Sequence, residues 1–162
     1  MKAYNKTLLQ RLPILVGLLI FSIDGFSQVQ KMTVEDFQAS GSILQADKEQ
    51  FNQFVDGSFS SLEITENENY KVGDGEVKVI ALASKSSLYE KLSSLENKTE
   101  IEVIQINFKK GSSLPDKAIF QSFPNLKFLL VQGLNISVSD VSEPNLGADR
   151  ELYLLIRNIS AD

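Results

Sequence analysis

Val77-Lys-Val-Ile80-Ala-Leu82, Ile101-Glu-Val-Ile104-Gln-Ile106 and Leu126-Lys-Phe-Leu129-Leu-Val131 share one apolar spacing, and their starts lie 24 and 25 residues apart. A further step of 25 residues reaches Glu151-Leu-Tyr-Leu154-Leu-Ile156, where the last two apolar positions fit and the first is lost or slips to Leu152. A fixed period of this length marks stacked units of supersecondary structure. The intervals carry helix signals. Ser87-x-x-Glu90 opens a stretch with Leu88, Leu92 and Leu95 on one face, and Pro115 opens another with Ala118, Ile119 and Phe120. Each unit therefore runs strand, loop, helix, loop. Such a succession predicts an α/β fold with a parallel sheet, because every crossover returns the chain to the same end.

Upstream of the units, residues 28–75 are polar and mixed, and they are expected to cap the sheet within the same structural domain as 76–162. Thr33 with Asp36, and Asp47 with Gln50, have capping-box spacing. The second of these predicts a short helix with Phe51, Phe54 and Val55 on one face and a stop at Gly57. Phe59 to Ile64 has strand character, and Tyr70–Val72 and Val77–Val79 flank Gly73-Asp74-Gly75, which predicts a hairpin. Still further upstream, Lys2, Lys6 and Arg11 precede the apolar run Ile14–Ile23, which Asp24 and Gly25 end before it is long enough to span a bilayer. Gly25-Phe26-Ser27 places small residues where signal peptidase accepts them. Residues 1–27 are thus expected to be a signal peptide cleaved before Gln28, and the protein to be secreted or periplasmic in a bacterial envelope. No membrane span is expected after cleavage.

Composition narrows the chemistry. In 162 residues there is no His, Cys or Trp, which removes every Ser-His or Cys-His nucleophile pair, every zinc site built on Cys or His, and every disulfide. The net charge is −5, and because residues 1–27 carry +2, about −7 remains on the mature chain. No basic run exceeds Lys109-Lys110, so nucleic acid is not an expected partner. No Gly-x-Ser-x-Gly elbow or phosphate-cradling loop occurs, and no cofactor, metal or catalytic residue is expected. A carboxylate-based hydrolase is the least favoured alternative: no pair of acids stands out, and Glu63 with Glu66, like Glu100 with Glu102, reads as solvated strand-edge charge.

The third unit carries a resemblance. Phe123-Pro-Asn-Leu126-Lys-Phe-Leu129-Leu-Val131-Gln-Gly-Leu-Asn135-Ile136, preceded by Ser113-Leu114-Pro115, is similar to the leucine-rich-repeat frame L-x-x-L-x-L-x-x-N-x-L, and residues 76–159 resemble a short, degenerate run of that family. Where the family places its turn Asn, the chain has Lys85, Lys109 and Leu134, with Asn135 one step later. The resemblance implies a solenoid whose alternate strand positions face a concave surface. Applying the frame gives three rows: Val79, Val103, Phe128 and Tyr153; then Ala81, Gln105, Leu130 and Leu155; then Ala83, Asn107, Gln132 and Arg157. The function it implies is a non-enzymatic module that binds a protein partner through Val103, Gln105, Asn107, Phe128, Leu130, Gln132, Tyr153 and Arg157. Two of these rows are largely apolar. Either they form a binding face, or the N-terminal segment folds over them and the protein is a small closed α/β sandwich of structural or unknown role.

Overall fold

A computed structural model describes residues 29–144, 146 and 151–160; the expected signal peptide and its cleavage site lie outside the described residues. Seven strands form one sheet: β1 (Val29–Thr33), β2 (Ser60–Ile64), β3 (Asn69–Val72), β4 (Val77–Ala83), β5 (Val103–Asn107), β6 (Phe128–Leu134) and β7 (Leu152–Ile159). Helices α1 (Val34–Ala39) and α2 (Gln45–Val55) follow β1, α3 (Ser86–Ser93) follows β4, and α4 (Lys117–Gln121) follows β5. The strand order is β1-β7-β6-β5-β4-β2-β3. All neighbours are parallel except β2 and β3.

The repeated units become β4 to β7, each one place further along the sheet. Their register is the one the spacing predicts: Ile80, Ile104, Leu129 and Leu154 stand abreast, as do Leu82, Ile106, Val131 and Ile156. These two rows face α3 and α4, packing with Leu88, Leu92 and Phe120 into the larger core. Alternate residues point to the opposite face. There the chain does something the repeats do not announce. β1 pairs with β7 at one edge, and α1 and α2 then cross the sheet to deliver β2 near the other edge. Helices thus cover both faces of an open sheet, and the bare concave face expected of a solenoid is not what these strands present.

Two local expectations change. Residues 70–72 and 77–79 do not pair; β3 pairs antiparallel with β2, and β4 runs parallel along the other side of β2. β4 is buried through its middle and needs a strand on each side, whereas all four residues of β3 are exposed and suit an edge. Gly73 and Gly75, at φ of 90° and 110°, turn the chain across the start of β2. Asp47 does not cap its helix either. Leu44 is the N-cap of α2, and Asp47 lies in the first turn with its side chain turned to the sheet. Thr33 does cap α1, its Oγ1 accepting from the Asp36 amide at 3.0 Å, and Gly57 follows the end of α2 at φ 74°.

Candidate functional site

The face opposite α3 and α4 has a covered part and an uncovered part. Phe37 of α1 and Phe51 and Phe54 of α2 lie on Val79, Val103, Phe128, Leu130, Tyr153 and Leu155. Phe128 is at the centre, with ring centroids of Phe51, Phe54, Phe37 and Tyr153 at 5.5, 6.0, 6.1 and 5.6 Å. Phe128 has no exposed surface, Val103 and Leu130 are 2% exposed and Tyr153 5%. These four expected contact residues are core, which corrects their assignment to a display surface. The physical reason is the one that made the apolar rows suspicious: so much contiguous apolar surface is too costly to leave in water.

A polar chain ties α2 to the starts of the strands. Asp47, 7% exposed, accepts from Lys127 Nζ at 2.7 Å and from the Tyr153 hydroxyl at 2.8 Å. Lys127 also donates to Gln50 Oε1 at 2.8 Å, Gln50 donates to Glu102 at 2.5 Å, and Lys78 donates to Glu102 at 2.8 Å. Burial pushes the Asp47 carboxyl up, but the bonds from Lys127 and Tyr153 outweigh it and hold the group below its ordinary value. Tyr153 moves the other way, through burial first and then its bond to Asp47. Lys78 is raised by its bond to Glu102. The other carboxyls with a resolved shift are also held low: Glu66 by Lys85, and Asp140, at about 2, by Ser137 and Lys110. The bonds to Asp47 fasten α2 to the sheet, because its nearly buried carboxylate takes from Lys127 and Tyr153 the hydrogen bonds that water would otherwise give it.

Sequence reasoning missed that network because its partners lie 80 and 106 residues apart. One signal was present in the units themselves, since Lys78, Glu102 and Lys127 each precede the first residue of the buried row.

Beyond Leu130 and Leu155 the helices no longer cover the face. Here stands the third predicted row, with Asn107 opposite Gln132 and Gln132 opposite Arg157. Asn107 is exposed, and Gln132 and Arg157 are half-buried; Gln105, one row back, is half-buried as well. Gln132 Nε2 donates to Asn107 Oδ1 at 2.8 Å. One step further, Leu134 and Ile159 stand opposite each other and are 57% and 41% exposed. With Phe108, Lys109, Lys110 and Gly133 these residues line a groove of about 560 Å³. It lies at the carboxyl ends of parallel strands, the end where open α/β sheets bind ligands. Gly133 makes the close approach possible: a Cβ there would stand 2.3 Å from the Phe108 carbonyl oxygen.

Among the described residues no group of acids is placed to hold a metal ion, and no helix is long and apolar enough to cross a membrane. No family model matches the chain, and no curated protein or solved structure is found to be similar to it.

Proposed function

We propose that the protein is an exported binding module without catalytic activity, and that its contact surface is the uncovered end of the sheet face. The observation that carries this reading is the exposure of Leu134 and Ile159 beside the Asn107–Gln132 amide pair, while Val103, Phe128, Leu130 and Tyr153 on the same strands and face are buried. Apolar side chains flanked by polar groups that fix direction are what a protein contact uses. The leucine-rich-repeat resemblance supports the reading to the extent that Asn107, Gln132 and Arg157 occupy neighbouring strands in the predicted register. Export is supported by the leader's residues alone: Lys2, Lys6 and Arg11, the apolar run Ile14–Ile23, and the small residues Gly25 and Ser27.

The burial of Phe128 and Tyr153 favours a second reading, a small α/β envelope protein of structural role in which the whole face is core. One experiment separates them. The full chain is expressed in a bacterial host, the exported product is recovered and N-terminally sequenced, and the proteins it retains are compared with those retained by a Leu134→Asp, Ile159→Asp variant. An N-terminus at Gln28 and loss of retained partner in the variant are expected. Product held in the cytoplasm refutes export, and identical retention by the variant refutes the rim as the contact surface.

A further inference from the structure

We propose that the groove at the carboxyl ends of β5, β6 and β7 receives an extended peptide segment that carries a carboxylate; this rests on the rim reading above and names the chemistry of the partner. The first ground is charge. The chain has a net charge of −5, yet the described residues of the groove lining include Lys109 and Lys110 and no carboxylate, and Arg157 stands next to Gln132 in the same row. Lys110 is partly neutralised by Asp140 at 3.0 Å, whereas among the described residues neither Lys109 nor Arg157 has an ion-pair partner. A local reversal of sign on an acidic molecule attracts a negative segment and repels a positive one.

The second ground is the hydrogen-bonding pattern. The bond from Gln132 to Asn107 uses one donor hydrogen and one acceptor oxygen. It leaves the Gln132 carbonyl oxygen able to accept and the Asn107 amide nitrogen able to donate, which is the complement of a peptide group. Asn107, Gln132 and Arg157 step across three strands at roughly 4.8 Å each, a span matched by about three residues of extended chain. Leu134 and Ile159 then offer the apolar contact for an alternate side chain. Single-stranded nucleic acid fits less well, because Phe108, the one aromatic ring among the described lining residues, is 5% exposed and offers no stacking platform.

The probes are blocked pentapeptides of sequence LDLEL, LNLQL and LKLKL, with the oligonucleotide dT10 as a control. Each is titrated into the 15N-labelled protein while the side-chain amides of Asn107 and Gln132 are followed by NMR. LDLEL is expected to shift both amides saturably, LNLQL to bind at least about tenfold more weakly, and LKLKL not at all. Lys109→Glu with Arg157→Glu, and separately about 0.5 M sodium chloride, should each weaken LDLEL by a similar factor. Lys109→Gln with Arg157→Gln serves if the doubly reversed chain does not fold. Equal binding of LNLQL overturns the carboxylate requirement while leaving the rim as a peptide site. Shifts at neither amide with any probe overturn both, and tighter binding of dT10 overturns the peptide assignment.

Discussion

Phe128 divides the two uses of the sheet face. In the repeat frame it is an anchor for a partner; in the structure four aromatic rings surround it and no surface remains. Phe128→Ala is therefore expected to cost about 3–5 kcal/mol of stability, read as a lower urea midpoint with an unchanged slope. Gly133→Ala tests a different constraint. Its new methyl group meets a backbone carbonyl that has no rotamer to retreat into, so a loss of about 1–3 kcal/mol is expected by the same measurement. Asp47 sets a pH dependence. Its carboxyl is held below the ordinary value in the folded chain, so its contribution is complete above the unfolded value of about 3.9 and is lost as pH falls through the lower, folded one. The stability difference between the wild type and Asp47→Asn should accordingly narrow below about pH 4 in chemical denaturation. At this scale much was legible. The rows of side chains across β4 to β7 follow from the 24- and 25-residue spacing alone, because register is fixed once one face must be buried.

Elements were less legible where their partners are distant. Residues 70–72 and 77–79 flank a glycine turn and satisfy every local rule for a hairpin, yet β4 takes β2 and β5 as neighbours because its buried middle has to be covered by strands on both sides. Local turn chemistry was right about the turn and silent about what it joins. The same limit hid the lid over the apolar face: Phe37, Phe51 and Phe54 show amphipathic spacing, but which surface they cover depends on where β2 docks at the far side of the sheet. The elements also differ in how well they are held. β3 is a four-residue edge strand with every residue exposed, whereas β6 is central and buried over its first four residues. Hydrogen exchange should show the amides of Tyr70 to Val72 exchanging far faster than those of Leu129 to Val131; comparable protection would mean that the β3 edge is covered by another strand in solution.

At the scale of the whole molecule, the N-terminal segment is structural mortar, contributing β1, β2 and β3 to the sheet and the covering for one of its faces. Removing it would strip both edges of the sheet and one of its two cores. A single cooperative transition is thus expected, with far-UV and near-UV circular dichroism melting together; separate transitions would show that residues 76–160 hold as a unit of their own. The face left over after this covering is small, which is why the functional reading contracts from a broad concave surface to one rim.

β1 lies beside β7 and nowhere else. The first of the described strands finds its neighbour in the last of them, a contact between residues more than a hundred positions apart, such as Val29 and Leu152. Closing so long a loop is slow, and it has to wait until the final strand exists. Val29–Thr33 therefore stay without their strand partner from their own synthesis until Leu152–Ile159 has been made, the longest wait of any pairing in the described sheet.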